Sequence, residues 1–114
     1  MAKAADHVGI YSGRDEDKWA ATGLTPVRSG AVDAPYVGEC PLVLECRLSQ
    51  TVDLGVHTLF IGEIVDVKAD EAILNPEGNP DVRKAGPMLF SPSDGSYYRI
   101  GELVGKAFSI GRKE

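Results

Sequence analysis

The sequence has little cysteine and no long apolar run. Its 114 residues include two cysteines and one tryptophan. No apolar stretch approaches the roughly 20 residues that a membrane-crossing helix needs. The N-terminal residues also have no apolar centre of the kind found in secretion signals. These absences predict a cytoplasmic protein with no membrane partner.

The two cysteines, Cys40 and Cys46, are not expected to form a disulfide. Along an extended strand their Cα atoms would lie about 20 Å apart, which exceeds disulfide reach. Cytosolic cysteines are also usually reduced. A thiol-based redox protein that uses this pair is a remaining alternative.

A basic surface and known catalytic motifs are also absent. The net charge is −5 and the pI is about 5.0, with lysine and arginine scattered along the chain. Nucleic acid is therefore not expected as a partner. The chain has no Gly-x-Ser-x-Gly, Gly-x-Gly-x-x-Gly or Gly-x-x-x-x-Gly-Lys-Ser/Thr motif. The histidines and cysteines lack the close spacing of a zinc site, so no metal site is predicted.

What is present predicts one domain, residues 1–114, with a small core. The N-terminal part favours a helix over 2–8 that ends at Gly9, and a second helix over 15–22 that ends at Gly23. Residues 24–40 resemble a loop, because proline and glycine recur and few positions alternate.

The clearest pattern predicts two long strands. Residues 42–53 alternate with a period of two, and residues 56–68 are rich in β-branched side chains. The short link between them predicts an antiparallel hairpin, and Gly62 indicates a bulge or bend.

The C-terminal third is predicted in shorter pieces. Single helical turns are expected at 70–74 and 81–85, with a loop at 75–80 between them. An apolar stretch follows at 88–90, then a turn. The remaining predictions are a strand at 97–100 and an extended segment or last short strand within 104–110. The sequence thus predicts a β-rich α+β fold with exposed strand edges, a first indication that the chain is incomplete alone.

Three residues could hold a ligand, although each has an ordinary structural explanation. His57 opens the second long strand and could donate a hydrogen bond, or be a half-exposed strand residue. Lys18 could provide a positive charge for an anionic group, or be a solvated surface lysine. Phe90 could contact a planar ring, or pack in the core.

Several blocks resemble flavoredoxins of the flavin reductase-like family. The first, 9–19 (GIYSGRDEDKW), resembles the family pattern Gly-Ile-x-Ser-Gly-Arg-Asp-x-Asp-Lys-Phe. The others follow in the same order: 23–26 (GLTP), 33–37 (DAPYV), 41–46 (PLVLEC), 55–63 (GVHTLFIGE), 97–98 (YY) and 105–111 (GKAFSIG).

This resemblance implies a split β-barrel of Greek-key type that binds FMN noncovalently and forms a homodimer. It implies electron transfer or flavin reduction, with NAD(P)H or a redox protein as the electron donor. Lys18, His57 and Phe90 fall on positions that contact FMN in flavoredoxins. Lys18 would provide positive charge near the flavin, His57 would hydrogen-bond the isoalloxazine edge, and Phe90 would contact the ring.

Family members are nearly twice as long as this chain. We therefore expect an N-terminally truncated flavin reductase-like domain, whose barrel is incomplete because the N-terminal strands are missing. FMN binding is then expected to be weak or absent, since the family's phosphate-binding stretch is not found. The alternative function is a cofactor-free accessory or vestigial dimerisation module. An enzymatic activity, as a flavin reductase-like oxidoreductase, would require bound FMN.

Overall fold

A computed structural model describes residues 1–113 and shows three helices, six strands and one 3-10 turn in that range. In chain order these elements are α1 (Ala2–Ile10), α2 (Lys18–Thr22), β1 (Pro26–Arg28), β2 (Pro35–Val37), β3 (Leu42–Asp53), β4 (Thr58–Ala69), the 3-10 turn (Glu71–Ile73), α3 (Val82–Ala85), β5 (Met88–Ser91) and β6 (Ser96–Arg99).

The two N-terminal helices are present, but their bounds differ from the prediction. Gly9 does not end α1, which continues to Ile10. The second helix starts at Lys18 and not at residue 15, because Asp17 is its N-cap and accepts hydrogen bonds from the backbone N–H of Trp19 and of Ala20. A cap residue lies outside the helix that it begins.

The prediction of a loop over residues 24–40 is wrong in part. Strands β1 and β2 pair as an antiparallel hairpin within it, with Val27 opposite Tyr36. Each strand has three residues, which is too short for an alternating pattern to be recognised. The Glu39 carboxylate accepts bonds from the Thr25 backbone N–H at 3.0 Å and from its hydroxyl at 2.7 Å, which fixes the base of this hairpin.

The long hairpin is confirmed. Strands β3 and β4 pair antiparallel from Leu42 opposite Ala69 to Asp53 opposite Thr58, with register shifts at 45/46 and 48/50. Gly62 lies opposite Leu48, next to the second shift. A Cβ atom at Gly62 would lie 3.0 Å from the Cβ of Cys46, so the absence of a side chain lets the strands approach closely here.

The C-terminal predictions were met except for part of the last. The 3-10 turn, α3 and β6 form where helical turns and a strand were expected, and the apolar stretch at 88–90, for which no strand was predicted, forms β5 and pairs antiparallel with β6. The prediction of an extended segment or strand within 104–110 is wrong in its second half, because turns occupy 107–111 and no described strand pairs with this segment.

The described fold is open. Its three sheets have two strands each and share none, so β3–β4 is a separate hairpin and not part of a closed barrel within residues 1–113. Ile73 is the one buried apolar side chain in that range. The accessible surface is 9515 Å², whereas a compact monomer of this mass exposes about 6,100 Å². The radius of gyration is 17.2 Å, against about 13 Å for a compact domain of this length.

One polar cluster joins the two hairpins. Glu45 on β3 is buried and accepts bonds from the backbone N–H of Gly30 at 3.3 Å and of Ala31 at 2.9 Å. The Lys68 ammonium lies 3.2 Å from Glu45 and 2.7 Å from Asp66. This cluster holds the β1–β2 turn against one face of the long hairpin.

Candidate functional site

The long hairpin ends in a projecting arm, which we define as residues 46–64. Every residue of the arm is exposed. His57 lies in the turn at its tip and not in the strand that it was predicted to open, and its backbone carbonyl accepts a bond from the Leu54 N–H. A two-stranded hairpin is only marginally stable alone in water.

One face of the long hairpin is apolar and uncovered. Residues that lie directly opposite each other share a face, as do alternate residues along a strand. Leu44 lies opposite Val67, and Cys46 lies opposite Ile64. We call these residues and Leu48 the open face; its leucine, isoleucine and valine side chains are 49–60% exposed. The other face carries Glu45 and is covered there by the β1–β2 turn.

Lys18 is the first residue of α2, and its side chain turns back to α1. Its ammonium donates to the Val8 carbonyl at 2.6 Å, and the side chain is partly buried. A cation there favourably meets the negative end of the helix dipole. At the same junction His7 bonds Glu16 at 2.8 Å, so two bonds hold the start of α2 against the end of α1.

Phe90 lies on β5 directly opposite Tyr97 on β6, with ring centroids 5.5 Å apart. The Phe90 side chain is 56% exposed, so it presents an aromatic surface and does not pack in a core. The Tyr97 hydroxyl donates to the Asp6 carboxylate of α1 at 2.8 Å, across 91 residues of sequence. That bond raises the pKa of Tyr97 above its usual value, with a smaller contribution from desolvation.

Lys18 bonds α1 directly, whereas Phe90 is linked to α1 only through its cross-strand partner Tyr97. Asp6 and Val8 are two residues apart on α1, and they bond Tyr97 and Lys18 respectively. We call Asp6, Lys18, Phe90 and Tyr97 the α1 cluster. Within the described residues, no bond connects His57 at the arm tip to the α1 cluster.

Asp6 is the participant that the sequence did not reveal, and the pairing of Tyr97 with it was not foreseen either. Asp6 is an ordinary polar residue of an exposed helix, and nothing within a window of 20 residues marks it as a partner of β6. Tyr97 could be recognised only as one aromatic of a pair beside a turn. A contact across 91 residues has no local pattern in a single sequence.

Lys18 and Phe90 each retain a group that could contact a ligand. A lysine ammonium has three donors, so the bond to Val8 leaves two for phosphate or another anion. The exposed ring of Phe90, supported by Tyr97, can pack against a flat heterocycle. Both cysteines are free, and residues 1–113 contain no cluster of three or more potential metal ligands.

Comparison with known proteins places this geometry in a family. The model of the flavin reductase like domain matches residues 1–100. The chain belongs to the flavin reductase-like family.

Solved structures of the family are similar over nearly the whole chain. The flavoredoxin of Desulfovibrio vulgaris (Miyazaki F) is 51% identical with a TM-score of 0.88, and the match covers 96% of this chain and 58% of that one. A protein of Shewanella frigidimarina, assigned as a flavin reductase with split barrel domain, is 28% identical with a TM-score of 0.75, covering 94% and 55%. The structural neighbours are thus split-barrel proteins, and the present chain shares their β-rich antiparallel architecture.

The matches cover only part of each longer relative. An uncharacterised protein of Archaeoglobus fulgidus is 42% identical over 74 residues, which are 65% of this chain and 41% of that protein. The chain spans less than half the length of the curated relatives that it matches. Among residues 1–113, no helix has the length and apolar character needed to cross a membrane.

Proposed function

We propose that this flavin reductase-like chain binds FMN and serves in electron transfer or flavin reduction. The observation that carries this proposal is the match of the flavin reductase like domain to residues 1–100. The exposed ring of Phe90 and the partly buried ammonium of Lys18 provide groups that such a ligand could use. The likeness to a flavoredoxin at 51% identity supports the same assignment. FMN, when bound, supplies the redox chemistry, and the protein's task is to bind, orient and tune it.

The proposed roles follow from where the three side chains lie. Lys18 would offer its two remaining N–H donors to an anionic oxygen of the ligand. Phe90 would lie against the ring system. His57 would hydrogen-bond the edge of the isoalloxazine and thereby favour the redox state that carries more negative charge there.

We further propose that FMN is bound across a homodimer interface, with the α1 cluster from one copy and the His57 arm from the other. The 9515 Å² surface exceeds that of a compact monomer by more than half. Stable homodimer interfaces bury about 2,000–5,000 Å² in total, and the open face and the arm provide apolar surface for one. NAD(P)H or a redox protein would be the electron donor.

We propose that the split barrel is incomplete within residues 1–113. We propose that strands not among the described residues, the N-terminal strands of the longer relatives, complete the barrel. The match to 58% of the flavoredoxin chain supports this view. The domain 1–114 would then be a shortened flavin reductase-like unit.

FMN titration tests the proposal. The purified chain is titrated with FMN while absorbance between 350 and 500 nm and flavin fluorescence are recorded. Saturable binding is expected, and Lys18→Ala and His57→Ala should each weaken it. Lys84→Ala is a matched control, because the Lys84 ammonium also bonds a backbone carbonyl, that of Leu74 at 2.7 Å, but lies outside the α1 cluster. A protein that shows no spectral change at high FMN concentration would exclude this function.

A second candidate is a cofactor-free accessory or dimerisation module. The open face favours it, because an apolar surface of this kind suits protein–protein contact whether or not a flavin binds. Size-exclusion chromatography with light scattering, with and without FMN, separates the candidates. A stable flavin-free dimer that never takes up FMN supports the module, whereas a dimer that forms with FMN supports the flavoprotein.

A further inference from the structure

We propose that Asp6 and Tyr97 form a latch that positions Phe90 relative to Lys18, and that this latch sets how tightly the flavin is held. The inference rests on the proposed function and adds two positioning residues to it. Neither residue is assigned to contact the flavin; both act through Phe90 and Lys18.

The contacts of the β5–β6 hairpin are the first support. The pair Phe90–Tyr97 lies within this hairpin of two four-residue strands, which is too small to hold an orientation by itself. The Tyr97 hydroxyl reaches out of the hairpin to Asp6 of α1 at 2.8 Å. A hydrogen bond to a carboxylate is stronger than one between neutral groups, so this contact can fix the hairpin against the helix.

The position of Asp6 on α1 is the second support. Asp6 and Val8 lie within one helical turn, and the Val8 carbonyl receives the Lys18 ammonium. His7, between them, bonds Glu16 on the segment that leads into α2. Three consecutive residues of α1 therefore hold the segment of Lys18 on one side and the hairpin of Phe90 on the other. Loss of the bond between Asp6 and Tyr97 would free the hairpin that carries Phe90, and the bond between Lys18 and Val8 would remain.

The raised pKa of Tyr97 agrees with this geometry and provides a readout that needs no flavin. The bond to Asp6 keeps the phenol protonated to higher pH. Asp6→Asn should remove the charge that favours the protonated phenol and lower the Tyr97 pKa. Phenolate absorbance during an alkaline titration, compared with Tyr97→Phe to identify the signal, measures this shift.

The neighbouring tyrosine offers a matched control. Tyr98 is also on β6, but its hydroxyl bonds Asp94 within the same hairpin. Tyr97→Phe and Tyr98→Phe each delete one hydroxyl and retain the ring, and only the first breaks the link to α1. Thermal unfolding of both variants shows whether either change harms the fold.

We expect Tyr97→Phe and Asp6→Asn to weaken FMN binding by about two- to tenfold, the effect of one net hydrogen bond. Both should also change the visible circular dichroism of the bound flavin, because the ring would lie differently against Phe90. Tyr98→Phe should leave both properties as in the parent chain. Equal FMN affinity and equal flavin dichroism in Tyr97→Phe and Tyr98→Phe would overturn the latch.

Failure of the proposed function is distinguishable from failure of the latch. If the parent chain binds no FMN, the proposed function fails, and the latch fails with it as a determinant of flavin affinity. The alkaline titration then still reports whether Asp6 bonds Tyr97 in solution. If the parent binds FMN and Asp6→Asn leaves the Tyr97 titration unchanged, the latch alone is wrong.

Discussion

Glu45 shows how a single residue links two parts of this open fold. It is the most buried polar side chain among residues 1–113 and lies on a strand whose neighbours are exposed. Burial raises its pKa, but the bonds from the Ala31 N–H, Lys68 and the Gly30 N–H lower it by more, so the net shift is downward. Its ionised form is therefore the one that stabilises the folded chain.

The sign of this shift predicts acid sensitivity. A carboxyl group whose pKa is lower in the folded state contributes stability above its unfolded pKa, near 4.5, and loses that contribution as pH falls through the folded value. We expect Glu45→Gln to lower the melting temperature at pH 7 and to reduce its fall between pH 6 and pH 3. Calorimetry across that range measures both effects.

Glu63 provides the matched control for this prediction. Its ion pair with Arg47 spans 3.6 Å on the same hairpin, and both side chains are about two-thirds exposed. Exposed ion pairs contribute little to stability, so Glu63→Gln should behave as the parent chain does. If the melting temperature of Glu45→Gln depends on pH as that of the parent chain does, the contacts of Glu45 with Lys68 and the β1–β2 turn are not formed in solution.

At the scale of the element, a strand could be predicted from the sequence when it was long and when the contacts that hold it were close in sequence. Strand β3 was predicted with its observed bounds, because a 12-residue strand shows its alternation clearly. Strand β4, predicted at 56–68 from its β-branched residues, begins two residues later than expected. The β1–β2 hairpin was missed because its strands have three residues each and are held by Glu39, a contact that spans 14 positions. The C-terminal segment was expected to be extended, but turns occupy 107–111, and Phe108 has a positive φ of 60°.

The start of α2 carries the prediction that belongs to this scale. Asp17, the residue before Lys18, is the N-cap of α2, and its side chain accepts hydrogen bonds from two backbone N–H groups of the helix. Loss of an N-cap costs about 1 kcal/mol of stability. Asp17→Ala should therefore destabilise α2 by about that amount and loosen the orientation of Lys18. Fluorescence of Trp19, the chain's single tryptophan, reports the local transition in a urea titration.

Asp15→Ala is the comparison for this cap. Asp15 lies in the same loop, and its side chain makes no cap bond to α2. Surface substitutions of this kind usually change stability by no more than about 0.5 kcal/mol. Equal urea midpoints for Asp17→Ala and Asp15→Ala would contradict the cap as the determinant of where α2 begins.

At the scale of the whole molecule, the candidate site was predictable from the sequence only in part. The resemblance singled out Lys18, His57 and Phe90, and the fold links Lys18 directly, and Phe90 through Tyr97, to α1. Asp6 could not be found in advance, because its role depends on a tertiary contact. His57 differs from Asp6, because the family motif includes it, whereas the residues proposed to share its ligand lie on another copy of the chain.

The open face gives the last prediction. If two copies cover each other's apolar surface, Leu48→Lys would place a charged side chain in the interface. Burying that charge without a partner costs free energy, and leaving it in water keeps the two surfaces apart. We expect Leu48→Lys to weaken dimerisation at least about tenfold, and to weaken FMN binding in parallel because the site would span both copies. Sedimentation velocity over a concentration series measures the first effect, and FMN titration at matched concentrations measures the second.

Arg47→Ala is the control, since Arg47 precedes Leu48 on the same strand, lies on the opposite face and is already 68% exposed. Because Arg47 is itself part of the arm but lies off the open face, we expect Arg47→Ala to weaken assembly much less than Leu48→Lys does. A Leu48→Lys chain that dimerises as the parent does would remove the open face from the interface, and would require another route for His57 to reach Lys18 and Phe90. A chain that becomes monomeric yet still binds FMN with parental affinity would place the flavin within one copy, which the position of His57 at the arm tip argues against.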